Sequence, residues 1–120
     1  MKKKTLVIGA SLNPTRYSHL AVKRLIDFGH NVVAFGLRSG TIETVSIDTD
    51  LKVYTDINTV TLYVGPKHQD AYMDYIVSLI PKRVIFNPGT ENPKFYKLLK
   101  EHDINFEEAC TLVLLSTNQY

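Results

Sequence analysis

The chain has 120 residues, 44% of them hydrophobic, and its 14 basic and 12 acidic side chains leave a formal charge of +2. That length supports one core and excludes two ordinary domains, so residues 1–120 are read as a single domain, and the near-balanced charge speaks against a nucleic-acid partner. A single cysteine, Cys110, excludes an internal disulfide framework, and no apolar run approaches the roughly 20 residues that span a bilayer, so the expected compartment is the cytoplasm, without a membrane partner.

Lys2, Lys3 and Lys4 read as a solvated terminus. Thr5 to Ile8 is a β-branched and aliphatic run stopped by Gly9, and Asn31 to Phe35 is a second run stopped by Gly36. Between them Ala21, Val22, Leu25 and Ile26 recur at helical spacing, with Ser18 as the expected N-cap and Gly29 as the C-terminal stop. The segment from Thr41 to Asn58 is less regular, and Lys52-Val53-Tyr54 is its one expected strand, at an edge. Val60 to Val64 is a third major run, closed by Gly65-Pro66, after which Met73, Ile76, Val77 and Ile80 form a helical stripe up to Pro81. Arg83 to Phe86 follows, closed by Asn87-Pro88-Gly89. Asn92 and Pro93 then read as N-cap and first residue of a helix carrying Phe95, Leu98, Leu99 and His102 on one face. Ile104 to Glu107 is expected as a last strand and Cys110 to Leu115 as a last helical turn or two.

Strands alternating with helices require crossovers, and crossovers place helices on both faces of a parallel sheet. The expected fold is α/β: a single Rossmann-like, doubly wound, mostly parallel sheet flanked by helices. Ligands of such sheets lie beyond the carboxyl ends of the strands, where the strand order reverses. The segments that matter are therefore 9–16, 36–40, 65–68 and 87–92.

The first of these is an altered nucleotide turn. A dinucleotide fingerprint uses three glycines, for the tight turn, for approach of the pyrophosphate and for helix packing. Here only Gly9 is in register, with Ser11 in place of the second and Pro14 in place of the third. A serine still admits a phosphate and can donate its hydroxyl, and Arg16 supplies a cation nearby. After the second strand the carboxylate that would hold an adenosine ribose is missing, and Arg38 stands in its place. A cation there suits a ligand with an extra ribose phosphate, as in NADP or coenzyme A.

The run Val7-Ile8-Gly9-Ala10-Ser11-Leu12-Asn13-Pro14-Thr15-Arg16-Tyr17-Ser18 resembles the first turn of the small CoA-binding domain proteins, which are similar to the nucleotide-binding domain of the succinyl-CoA synthetase alpha subunit. Arg38, Lys52-Val53-Tyr54 and Asn87-Pro88-Gly89 extend the resemblance along almost the whole chain. It implies a Rossmann-like domain that binds coenzyme A or an acyl-CoA, with Gly9, Ala10, Ser11, Asn13 and Arg16 near the diphosphate and Arg38 near the ribose phosphate. By the same resemblance Val64, Gly65 and Pro66 together with Asn87, Pro88 and Gly89 line the adenine and pantetheine path. Two positions depart from the family: Gly36-Leu37 precedes Arg38 where an Asn-Pro is usual, and Thr111-Leu112-Val113 follows Cys110 where a proline and a lysine are common.

No catalytic constellation accompanies these residues. His19, His30, His68 and His102 lack metal-ligand spacing, Glu107 and Glu108 would point to opposite faces of a strand, and no Tyr-x-x-x-Lys sits in a credible dehydrogenase helix. Cys110 reads as a small apolar residue among Ala109, Leu112, Val113 and Leu114, with a mixed disulfide to a ligand thiol as the alternative. The expectation is a non-catalytic binding protein for a small-molecule nucleotide ligand, with a homodimer or recruitment by a larger enzyme left open. The alternatives are a small NADP-type oxidoreductase and a ligand-free Rossmann-like interaction domain.

Overall fold

The computed structural model describes residues 2–120. In chain order its elements are β1 (Thr5–Ile8), α1 (Tyr17–Asp27), β2 (Val32–Phe35), β3 (Gly40–Ile42), β4 (Val45–Asp48), β5 (Thr59–Leu62), α2 (Pro66–Ser78), β6 (Arg83–Phe86), α3 (Pro93–Glu101), β7 (Asn105–Glu108) and α4 (Thr111–Ser116). The strands form one sheet in the order β3-β4-β2-β1-β5-β6-β7. Every pairing is parallel except that of β3 with β4. The chain winds outward from β1 to β2, then crosses back to place β5 on the other side of β1. The strand order therefore reverses between β1 and β5. No helix among the described residues is long and apolar enough to cross a membrane.

The period-two alternation of the strands sorts the core into two layers. Leu6, Ile8, Val60, Leu62, Val84 and Phe86 face α2 and α3, where they meet Met73, Ile76, Phe95 and Leu99. Val7, Val32, Ala34 and Ile47 face α1 and α4, against Val22, Leu25 and Leu115. Strand β5, beside the central β1, reads Thr-Val-Thr-Leu and is fully buried, so its two hydroxyls need partners. Thr59 accepts from the Arg83 guanidinium at 3.1 Å, and Thr61 pairs with Thr111 at 2.8 Å. Glu107 and Glu108 do point oppositely: Glu107 lies 3.8 Å from Arg83, while Glu108 accepts from the Tyr96 hydroxyl at 2.7 Å.

Two local expectations are corrected. Lys52-Val53-Tyr54 is not a strand; it belongs to a strap over residues 49–58, whose Tyr54 hydroxyl bonds Asp48 while the Tyr75 hydroxyl donates to the Lys52 carbonyl at 2.5 Å. The edge is instead the hairpin β3–β4, whose turn carries Glu43 at φ 54°. The helix after β1 starts at Tyr17 with Arg16 as N-cap, so Ser18 lies inside its first turn and is buried. Asn92 caps α3 as expected, its side chain accepting from the Phe95 amide, and Gly29 ends α1 at φ 85°.

At the amino ends of the strands, residues far apart in sequence close the sheet. The Tyr120 hydroxyl pairs with Thr5 at 2.6 Å, its ring lies under the Arg83 guanidinium at 4.5 Å, and Lys3 donates to its main-chain oxygen at 2.8 Å. His30 packs on the same ring and accepts the Lys3 amide on Nδ1 at 3.0 Å, which requires that nitrogen to be unprotonated. Its pKa is lowered from the ordinary 6.5, first by burial and then by the Lys3 and Arg83 charges. A lowered folded-state pKa means that the unfolded chain takes up the proton first. The His30 contribution is thus intact above pH 6.5 and is lost as pH falls through the folded-state value. Thermal unfolding between about pH 7.5 and about pH 5 should show a falling Tm, and His30→Gln, which keeps an acceptor without titrating, should show a smaller fall. An equal fall in both proteins would remove His30 from this role.

The Tyr63 hydroxyl is enclosed near Thr61 and Thr111 without a hydrogen bond of ordinary geometry, and burial raises its pKa. A buried polar group without a partner contributes nothing that its removal would lose. Tyr63→Phe should therefore leave the denaturant midpoint unchanged or raise it; a loss above about 1 kcal/mol would show that the hydroxyl is bonded in solution.

Candidate functional site

The turn after β1 is built by crossing the end of β2. The amides of Gly9 and Ala10 both donate to the Phe35 carbonyl at 2.9 Å. Gly9 has φ 96°, and a side chain on it would stand 3.0 Å from Val64 Cγ2 and 3.1 Å from the Tyr63 main chain. Gly36 is more constrained still, because a Cβ there would lie 2.3 Å from the Ala10 carbonyl oxygen. The ends of β1, β2 and β5 are thereby held in main-chain contact, which brings Gly9, Ala10, Gly36 and Val64 together.

Beyond Ala10 the turn shapes itself. Ser11 Oγ accepts the Asn13 amide at 3.1 Å, Asn13 Oδ1 accepts the Thr15 amide at 3.0 Å, and the Asn13 carbonyl accepts the Arg16 amide at 3.0 Å. His19, buried in the first turn of α1, donates from Nδ1 to the Ser11 carbonyl at 2.8 Å and ties the turn to the helix. These bonds leave the Ser11 hydroxyl proton and the Asn13 Nδ2 free to donate outward. They also leave the amides of Tyr17, Ser18 and His19 pointing out of the start of α1, with no side chain capping them and no acid in the first turn. Aligned peptide dipoles make such a helix start locally positive.

Arg16 and Arg38 are both exposed at this edge, and among the described residues neither enters an ion pair. Leu37, between Gly36 and Arg38, is 89% exposed. Leu12 folds over Gly40, its methyl groups lying 2.7 Å from where a Cβ would stand.

The β5 and β6 loops are joined differently, through buried carboxamides. Asn87 donates to Thr61 Oγ1 at 2.7 Å and to the Leu62 carbonyl at 2.8 Å, and accepts the Thr111 amide at 2.9 Å. Its side chain is fully engaged, so it positions the 87–89 turn, and Pro88 and Gly89 are the exposed members of that trio. Gly89 has φ 93°, and open space lies where a Cβ would stand on Gly89 and on Gly65. Pro66 is the first residue of α2, after Gly65 as N-cap. Gln69, in the same turn of α2, is fully buried and bonds both loops.

Sequence reasoning placed Gly9 to Arg16, Arg38, Val64 to Pro66 and Asn87 to Gly89 on one edge, and all of them lie there. It missed His19, Gly36 as a point of main-chain crossing, and Gln69. Gln69 had a readable signal: it stands four residues before Met73, on the stripe that faces the core. Cys110 is half-buried as the N-cap of α4, and no group of three or more His, Cys, Asp or Glu side chains suitable for a metal occurs among the described residues. A largely apolar groove of about 250 Å³ between α1 and α4, lined by Leu20, Arg24, Leu112, Val113, Leu115 and Ser116, lies away from this edge.

Fold and edge together define a class, the single doubly wound α/β domain of Rossmann-like type. Within it the sequence matches the CoA binding domain family over residues 3–116, and the chain belongs to that family. Among solved structures, that of an uncharacterized protein superposes with a TM-score of 0.97 at 42% identity, covering 100% of this chain and 99% of the other. A protein from Thermus thermophilus gives 0.83 at 23% identity over 99% and 91% of the two chains. A hypothetical protein from Pyrococcus horikoshii gives 0.81 at 23% identity over 94% and 82%. No curated protein matches the sequence.

The placement of the β1 turn on the end of β2 hangs on Gly36. Gly36→Ala should cost about 1–3 kcal/mol in chemical denaturation, because its methyl group meets main chain that cannot rotate away. A neutral result would show that the β1 turn can lift off the end of β2.

Proposed function

We propose that the chain is a non-catalytic binding protein for coenzyme A or an acyl-CoA. The diphosphate rests on the 9–16 turn and the open start of α1, and the ribose phosphate rests against Arg38. One observation carries the reading: Arg16 is the N-cap of an uncapped helix start beside the point where the strand order reverses, Arg38 follows the neighbouring strand β2 at the same edge, and both are exposed and without an ion pair among the described residues. Membership of a CoA binding domain family supports coenzyme A as the nucleotide. In this reading Ser11 donates its hydroxyl to a phosphate oxygen, Arg16 neutralises the diphosphate, and the amides of residues 17–19 supply the fixed dipole. The open space above Gly65 and Gly89 gives the remainder of the ligand room along the β5 and β6 loops.

Arg38 also suits the ribose phosphate of NADP, so the experiment separates the two ligands. In a thermal-shift series at about 100 times the dissociation constant, coenzyme A should stabilise the protein by about 2.7 kcal/mol. Dephospho-CoA, which lacks the ribose phosphate, should bind about tenfold more weakly, consistent with loss of one charge-assisted contact. Arg38→Ala should abolish the difference between the two. Equal binding of both by the unmodified protein would remove the role of Arg38. Stabilisation by NADPH with none by coenzyme A would replace this reading with that of a nucleotide-dependent oxidoreductase.

A further inference from the structure

The first turn of α2 holds a polar side chain in a place where the helix otherwise presents apolar residues to the core. Gln69 is fully buried, four residues before the buried Met73. Its carboxamide is satisfied at three points, and the partners come from two loops. Nε2 donates to the Val64 carbonyl at 2.8 Å and to the Thr90 carbonyl at 2.7 Å, while Oε1 accepts from Asn92 Nδ2 at 3.0 Å. Val64 belongs to the loop after β5. Thr90 and Asn92 belong to the loop after β6, and Asn92 is also the N-cap of α3. Strands β5 and β6 cease to pair at Leu62 and Phe86. Past those residues, Gln69 bonds the two loops to each other through its side chain.

We infer that Gln69 is the positioning residue for the arm-binding half of the site, setting the β5 and β6 loops in register so that they receive the pantetheine chain as one surface. This rests on the coenzyme A reading, and its direction follows from the sheet order. With the phosphorylated ribose at Arg38, on the β2 side of β1, and the diphosphate on the β1 turn, the rest of an extended ligand leaves toward β5 and β6. There Gly65 and Gly89 leave open space over the two loops that Gln69 joins. The β1–β2 half of the edge is held by the Phe35 carbonyl and His19, and Gln69 makes no hydrogen bond to it.

The test compares two ligands on the full chain by calorimetric titration: coenzyme A, and adenosine 3′,5′-bisphosphate, which carries phosphates but no arm. In Gln69→Met, which keeps chain length and removes all three hydrogen bonds, affinity for coenzyme A should fall by about tenfold or more while affinity for the bisphosphate stays within about twofold. Gln69→Glu keeps the acceptor for Asn92 and loses both donors to the loop carbonyls, and it should show the same split. The unmodified protein supplies a measurement that needs no variant. Coenzyme A should slow amide exchange in residues 63–65 and 89–92 together, and the bisphosphate in neither. Equal losses for both ligands in a folded variant, no loss for either, or protection of one loop alone would overturn the role of Gln69 and leave coenzyme A binding standing. Failure of the unmodified protein to bind either ligand would overturn the coenzyme A reading itself, and this role with it.

Discussion

The contact on which the rest of the structure depends is the crossing of main chain at the ends of β1 and β2. The amides of Gly9 and Ala10 share the Phe35 carbonyl, and the Ala10 carbonyl lies where Gly36 would carry a side chain. Main chain cannot yield as a flexible side chain can, so this crossing fixes the origin of the 9–16 turn. From there the turn has little freedom: Ser11 and Asn13 fold it on itself, and His19 binds it to α1. The open start of α1 and the Arg16 side chain thus inherit their location from two glycines and a carbonyl. The family fingerprint in this chain is less a set of ligand contacts than the sterics that let three strand ends approach.

Two chemistries divide the carboxyl edge of the sheet. On the β1 and β2 side Arg16 and Arg38 are exposed and enter no ion pair among the described residues, which suits a hydrated, anionic ligand part. On the β5, β6 and β7 side Gln69, Asn87, Thr90 and Asn92 are buried and hydrogen-bonded to main chain. A buried carboxamide is costly unless every donor and acceptor is satisfied, so such a network holds its loops in one arrangement. The contrast is between a half that offers free donors and a half that offers a fixed shape. At the opposite end of the sheet Lys3, His30, Arg83 and Tyr120 turn inward onto one another, and the Lys3 ammonium, the Arg83 guanidinium and the Tyr120 hydroxyl bond within the protein.

Most of the fold was legible in the sequence because its central strands are short apolar runs stopped by glycine or proline, and its helices repeat apolar residues at the helical period. The hairpin β3–β4 was missed although Val45-Ser46-Ile47-Asp48 alternates cleanly. Its turn carries no glycine or asparagine, and Glu43 takes the positive φ instead, so the usual punctuation is absent. The strap was misread as a strand because Val53 and Tyr54 have strand propensity, yet Tyr54 is held by Asp48 through its side chain and gains no ladder partner. The start of α1 was placed too late for a related reason. Ser18 looked like a cap, and the true N-cap, Arg16, supplies no capping side chain at all.

That last error bears on function. A helix start without a cap leaves donors unsatisfied by the protein, and selection for stability alone would favour Ser, Thr, Asp or Asn at that position, by about 1 kcal/mol. An arginine there forgoes that stabilisation and adds positive charge where the dipole is already positive, which is unfavourable in the empty protein. Both terms reverse in sign when an anion is present, since the free amides and the guanidinium then share one partner. The true boundary, Arg16, two residues before the expected Ser18, is thus the position where a phosphate ligand would supply what the chain leaves out. Arg38 likewise offers an exposed cation, without an ion pair among the described residues, where a ribose-binding acid would otherwise stand.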